Sequence, residues 1–300
     1  MEAIIAVVGF LGAGKTTLLK ALISNAIKKE LSPFLILNDY ENAHLDIQQF
    51  LGQLDANWVK ALNGSCICCT GIGELRNYVN AIPERQNGIT FIEANGTSDA
   101  CSLMGFLGVG IDDRFLPPIQ VSVVDVKNWQ QRGEHNELEA NQIQVSSLIV
   151  LTHLDECSEE RRQLVEADIK RFNADAKVIT IEALDSSLLS KLSPSRNEAR
   201  KFDHLKAHWA SSSADLPILP NEDTIQAICD NLPMSILRVK GCTKVGASEG
   251  YTYFERTPDG KVYIRPFYGI PTTGAKLLTV GPGSDVELLE RSIEKGLQLG

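Results

Sequence analysis

The sequence predicts an α/β fold: a mostly parallel sheet with helices on both faces, followed by a small α+β domain. Three observations carry this reading. Over the first two thirds of the chain, short apolar runs alternate with segments of helical periodicity, the pattern of βαβ units. Near residues 207–221 the composition turns to Ser and Pro. Beyond that point strand-like runs are punctuated by turn residues, and helical patterns become sparse.

The elements follow in order. Ala3 to Val8 is a run of β-branched and small residues that stops at Gly9. From Thr16 to Lys28, Leu18, Leu19, Leu22, Ile23 and Ala26 fall at helical spacing. Phe34 to Leu37, Ile89 to Ile92, Val121 to Val124, Leu148 to Leu151 and Lys177 to Ile181 read as further strands. Helical patterns over 72–82, 137–145 and 159–172 separate most of them. The segment 207–221, with Ser211, Ser212, Ser213, Pro217 and Pro220, is expected as a linker between a domain of residues 1–206 and one of residues 222–300. The second domain opens with a helix over 223–231. Strands are expected over 235–240, 250–255, 261–265 and 275–280, and a helix over 284–296 closes it.

Composition bounds the function. The chain has 300 residues, of which 43% are hydrophobic, too many for a disordered protein. At about 150 residues per domain, two domains are expected. No apolar run reaches the ~18 residues of a membrane span. The start Met1-Glu2-Ala3 has no basic segment, which argues against a secretory signal. Lys plus Arg is 29 and Asp plus Glu 38, a net charge of −9 that disfavours nucleic acid as a partner. Seven cysteines, three of them within Cys66-Ile67-Cys68-Cys69, do not form a disulfide framework. A reducing, cytoplasmic location with one thiolate site fits better, and Cys101, Cys157, Cys229 and Cys242 read as small buried residues.

Gly9-Phe10-Leu11-Gly12-Ala13-Gly14-Lys15-Thr16 satisfies G-x-x-x-x-G-K-[ST] between a predicted strand and a predicted helix. In such a loop glycines let backbone amides curl around phosphates, and the helix N-terminus adds partial positive charge. Lys15 would reach the β- and γ-phosphates and the Thr16 hydroxyl would bind Mg²⁺, with Thr17 beside it. The fold class is therefore a P-loop NTPase. Guanine readers commonly carry N-K-x-D after a strand. Here that position reads Thr152-His153-Leu154-Asp155, so Asp155 can select guanine while Thr152 and His153 depart from the pattern. Asp155 as a mere cap of the following helix is the alternative. Glu93 ends a predicted strand before Ala94-Asn95-Gly96, where it can hold Mg²⁺ or its waters and Gly96 can sense a γ-phosphate.

Asn63-Gly64-Ser65-Cys66-Ile67-Cys68-Cys69 offers three thiolates suited to Zn²⁺ or a similar divalent metal. A tetrahedral site needs a fourth ligand, with Asp39, Glu41, His44 and Asp46 as candidates. A redox pair or a metal-free reactive loop remains open. His204 and His208 share metal-binding spacing but read better as linker-helix residues, and 156–166 reads as a solvated helix face.

A phosphate loop, an N-G-S-C-I-C-C segment and a strand ending E-x-x-G, in that order, resemble the CobW-type GTPases, relatives of HypB and UreG. Ile236-Leu237-Arg238-Val239-Lys240-Gly241 resembles the L-R-x-K-G start of that family's C-terminal domain. The resemblance implies a metallochaperone that hydrolyses GTP to GDP and binds metal through Cys66, Cys68 and Cys69 between its two switches. It implies a client metalloprotein as partner, and leaves a homo-oligomer open. A nucleotide- and metal-gated activator that remodels a metalloenzyme is the alternative, and a P-loop kinase would leave the cysteines unexplained. The first switch departs from the family pattern: Asn38 and Asp46 match, but both glycines are replaced, by Glu41 and His44. Glu93-Ala94-Asn95-Gly96 and Thr152-His153 depart as well, which implies slow hydrolysis or relaxed base choice.

Overall fold

The computed structural model describes the chain apart from residues 40–45, 64–71, 185–193, 195–210, 237, 258–259, 268, 272–273, 282 and 300. The chain divides into two units, residues 1–39 with 53–207 and residues 40–52 with 208–300. No helix among the described residues is long and apolar enough to cross a membrane.

The first unit is built on seven strands: β1 (Ala3–Gly9), β2 (Ser32–Asp39), β3 (Val59–Asn63), β4 (Gly88–Glu93), β5 (Ile119–Asp125), β6 (Leu148–Thr152) and β7 (Lys177–Thr180). They pair in the order β3-β2-β4-β1-β5-β6-β7, every pair parallel. Parallel strands need crossovers, supplied by α1 (Lys15–Lys28), α2 (Ile72–Ala81), α3 (Ala100–Leu107), α4 (Asn136–Gln144) and α5 (Glu159–Phe172). Strand alternation turns Ile4, Ala6 and Val8 of β1 to one face, where they join Leu75 and Val79 of α2 and Leu103 and Leu107 of α3. A second cluster packs Ile149 and Leu151 of β6 against Val165 and Ile169 of α5. Burying both faces explains why β1, β4 and β5 read as near-continuous apolar runs.

The chain runs from β1 over β4 to β2 and β3 on one side, then past β1 to β5, β6 and β7 on the other. The crevice at the carboxyl end of β1 is thus the switch point of the sheet, the usual ligand site of such folds.

The second unit holds β8 (Ser211–Asp215), α6 (Glu222–Asn231), β9 (Arg238–Lys244), β10 (Tyr251–Arg256), β11 (Val262–Phe267), β12 (Lys276–Val280) and α7 (Val286–Leu299). Its sheet runs β11-β10-β9-β12-β8, all antiparallel. One face buries Val239, Phe254 and Leu277 against Ile225 and Ile228 of α6 and Leu289 and Ile293 of α7. Arg256 closes the C-terminus of α6, donating to the carbonyls of Cys229 (2.7 Å), Leu232 (2.7 Å), Pro233 (3.0 Å) and Ile236 (2.6 Å).

The Ser-rich stretch expected as a linker carries a strand. β8 pairs with β12 from Ser211↔Val280 to Asp215↔Lys276. Among the described residues it pairs with β12 alone and forms the edge of the sheet.

Candidate phosphate and metal-binding site

Gly9 ends β1, and the loop Phe10 to Gly14 carries the chain into α1. Gly12 (φ 76°) and Gly14 (φ 94°) sit in the left-handed region, where a side chain would strain the turn. The turn is closed by Ala13 N–H donating to Phe10 O (3.2 Å). Lys15 is buried, and its Nζ donates to Gly9 O (2.9 Å) and Phe10 O (3.2 Å), so the ammonium lies within the curve of the loop. Thr16 and Thr17 occupy the first turn of α1, where orphan amides and the helix dipole favour an anion.

Glu93 is the last residue of β4 and pairs with Val7 of β1 and Leu37 of β2, one step from the phosphate loop. It is 8% exposed. The segment that follows is wholly buried. Asn95 Oδ1 accepts from Thr97 N (3.2 Å), and Asp99 caps α3 by accepting from Cys101 N (3.0 Å) and Ser102 N (3.1 Å). From α4, Gln142 Nε2 donates to Gly96 O (2.9 Å) and Ser98 O (3.2 Å). Gly96 lies flat against the phosphate loop. A Cβ there would stand 2.8 Å from Leu11 N and 2.5 Å from Leu11 Cδ2. The leucine methyl can turn away but the backbone cannot. Gly96→Ala is therefore expected to cost about 1–3 kcal/mol and to weaken nucleotide binding. A urea midpoint equal to that of the parent would contradict this contact.

On the other side of β1, Arg132 stacks its guanidinium 4.3 Å from the Phe10 ring centroid. Asp125, at the end of β5, and Glu139 of α4 hold it in place, each at 3.0 Å. Burial pushes the Glu139 carboxyl above its ordinary range, and the charge of Arg132 works against that shift.

Thr152 ends β6, and its Oγ1 donates to Ala13 O (2.8 Å), with Val124 O at 3.1 Å. His153 follows at φ 56°, with Nε2 3.1 Å from Gly12 O. Asp155 is exposed on a single 3-10 turn, Leu154–Glu156. It does not cap the next helix: Ser158 does, accepting from Arg161 N at 3.2 Å. The structure thus gathers Gly9, Gly12, Ala13, Gly14, Lys15, Thr16, Glu93, Gly96 and Thr152 at one end of the sheet. Arg132 and Gln142 were not found from the sequence, because each acts through contacts with distant loops.

Asp39 ends β2 and pairs in register with Asn63, the end of β3. Cys66, Cys68 and Cys69, with Glu41 and His44, lie outside the described residues, as do His204 and His208. β3 stands three strands from β1, roughly 14 Å at the usual strand spacing. Asp46, also weighed as a ligand, is occupied: both its oxygens accept from Lys240 Nζ at 2.6 Å, and Oδ1 from Gln49 Nε2 at 3.1 Å. The four described cysteines are free. Burial pushes the thiols of Cys101, Cys229 and Cys242 up to about 12, and that of Cys157 upward. None supplies a ready thiolate. Among the described residues, no group of three His, Cys, Asp or Glu side chains is placed to hold a metal.

A wholly parallel sheet whose central strand opens into this loop and helix defines a P-loop NTPase. Residues 3–180 match the family model "CobW/HypB/UreG, nucleotide-binding domain". The chain belongs to the CobW/HypB/UreG family. It is similar to "Zinc-regulated GTPase metalloprotein activator 1" of Dictyostelium discoideum, 26% identical over 211 residues that cover 57% of this chain and 44% of that protein. It is also similar to "Zinc chaperone YjiA" of Escherichia coli, 26% identical over 194 residues, 62% of this chain and 59% of that protein. The chain spans about half the length of the curated relatives it matches. The solved structure of Zn(II)-bound YjiA aligns over 98% of both chains with 18% identity and a TM-score of 0.42.

Proposed function

We propose that the chain is a GTP-hydrolysing metallochaperone that binds zinc or a similar divalent metal at Cys66, Cys68 and Cys69 and delivers it to a client protein. The carrying observation is that β1 presents the phosphate loop and β3 leads into the cysteine segment at the same end of one sheet. Asp39 completes the candidate ligand set from the neighbouring strand end. Hard oxygen donors at Thr16 and Glu93 suit Mg²⁺, which favours a hydroxyl, a carboxylate and phosphate oxygens over thiolates.

Phosphoryl transfer then asks mainly for positioning and charge neutralisation. Lys15 and the loop amides supply these, and Mg²⁺ held through Thr16 would add charge at the phosphates. Asp155 reads the guanine edge. Intrinsic turnover is expected to be slow and to rise with metal or a client. The reading of the chain as a gated activator of a metalloenzyme shares these residues and differs in whether metal is transferred. The names of the similar proteins include both roles.

The test is metal titration of reduced protein against a competing zinc chelator, with and without a non-hydrolysable GTP analogue. Tight binding that is lost in a Cys66→Ser/Cys68→Ser/Cys69→Ser variant and shifts with nucleotide supports a nucleotide-gated carrier. Linkage requires metal to shift GTP affinity by the same factor. Metal binding indifferent to both the cysteines and nucleotide would overturn the carrier reading.

A further inference from the structure

Between β4 and α3 the chain makes a tight turn against the phosphate loop, and a buried glutamine of α4 holds that turn. We infer that Gln142 is a positioning residue for the γ-phosphate: it fixes the turn whose Gly96 N–H meets the terminal phosphate, and so sets the preference for GTP over GDP. This rests on the nucleotide-binding reading above and deepens it.

The turn runs from Asn95 to Ser98 and is closed by Ser98 N–H donating to Asn95 O at 2.9 Å. Neither central residue, Gly96 or Thr97, has a positive φ, which excludes type II and the primed types. The flipped, type II form would need a positive φ at Thr97, where a β-branched side chain resists it. The peptide that joins Gly96 to Thr97 is held at both ends. Its carbonyl accepts from Gln142 Nε2 at 2.9 Å, and its N–H donates to Asn95 Oδ1 at 3.2 Å. The second proton of the same amide goes to Ser98 O at 3.2 Å. In a trans peptide the C=O and the following N–H point in opposite directions. Asn95 O closes the turn, so the Gly96 N–H points away from it. That N–H makes no hydrogen bond among the described residues, although Gly96 is buried. A buried amide of this kind calls for an acceptor. Gly96 lies against the phosphate loop, where an added Cβ would stand 2.8 Å from Leu11 N. The acceptor for this amide is thus a terminal phosphate oxygen, and the amide is aimed before phosphate arrives.

Gln142 is itself anchored. It sits in the last turn of α4, where carbonyls lack helical partners. Its carbonyl accepts from Ser122 Oγ and Gln120 Nε2 of β5, each at 2.7 Å. Ser146 joins them, its Oγ 2.5 Å from that of Ser122. Gln120, Ser122, Gln142 and Ser146 are all buried. Ser122 pairs in register with Val8, the residue before Gly9. The amide that holds the turn is therefore referenced to the strand that carries the phosphate loop. Gln142 Oε1, by contrast, accepts no bond among the described residues. An apolar side chain of similar size would fill this space without burying an unpaired acceptor, so packing does not account for a glutamine here. Its grip on the turn does.

Two nucleotides that differ in the γ-phosphate separate this role from a structural one. GDP and a non-hydrolysable GTP analogue are titrated with Mg²⁺ against the parent, Gln142→Met and Asn95→Ala, and a thermal melt reports folding. Gln142→Met keeps the bulk and removes both donors. Positioning predicts that it weakens the GTP analogue about tenfold, the worth of one bond to a charged oxygen, and leaves GDP within about 2-fold of the parent. Asn95→Ala frees the other end of the held peptide and is expected to shift the ratio of the two affinities in the same direction. It carries the test alone where Gln142→Met does not fold. A glutamine with a structural role only would lower the melting temperature and leave that ratio unchanged. An unchanged ratio in the folded variants would overturn the inference while leaving the nucleotide site intact. Failure of the parent protein to bind GDP would instead overturn the nucleotide-binding reading itself.

Discussion

Lys15→Ala is expected to lower GTP affinity by about 100-fold or more while the protein remains folded. The side chain is 6% exposed, and its ammonium is held inside the loop by Gly9 O and Phe10 O. A charge-assisted bond to phosphate contributes roughly 1.5–3 kcal/mol, and the loop lysine can make two. Each 1.4 kcal/mol is about tenfold in affinity. The same amine satisfies loop carbonyls, so its loss also loosens the loop, and both effects run in one direction. Titration with a fluorescent GDP analogue measures the affinity, and a thermal melt shows that the fold survives. Affinity within about 3-fold of the parent would remove the phosphate-loop assignment and every step built on it.

The parts of this molecule that were legible in sequence are those whose causes are local. The phosphate loop is a contiguous motif between a strand and a helix, and the structure places it so. The helix over 159–172 is bounded as expected, because Ser158 caps it and Val165 and Ile169 mark its buried stripe. Other elements owe their state to distant partners. β3 reads Val-Lys-Ala-Leu-Asn, and it is a strand because it lies on the edge of the sheet beside β2. α3 is nearly all apolar, which hides any helical period. Its Ala100, Leu103 and Leu107 meet the cluster on one face of the sheet. β8 is mostly serine and exists because β12 offers it a ladder. In the site, the departures at Thr152 and His153 were visible as departures only. Their partners lie 139 and 141 residues earlier in the chain, a separation that no spacing rule spans.

Asp46 illustrates the same limit from the opposite side, and the largest stability effect is expected there. Sequence position makes it a candidate metal ligand, since it stands in the segment that follows β2. The structure instead assigns residues 40–52 to the second unit, where Asp46 and Lys240 are 5% and 4% exposed and form a bond of 2.6 Å. Lys240→Met removes the cation and leaves a buried carboxylate, with Gln49 Nε2 among its remaining donors. Breaking a buried pair in this way costs about 3–5 kcal/mol. The double variant Lys240→Met/Asp46→Leu removes both charges and is expected to recover most of that loss, because two apolar groups need no solvation. Urea unfolding of the four proteins in the cycle gives the coupling directly. A Lys240→Met variant as stable as the parent would show that the pair anchors nothing. Asp46→Leu also decides its other possible role: loss of stability with zinc affinity unchanged makes it the anchor of this segment. Loss of zinc affinity at unchanged stability would return it to the ligand set.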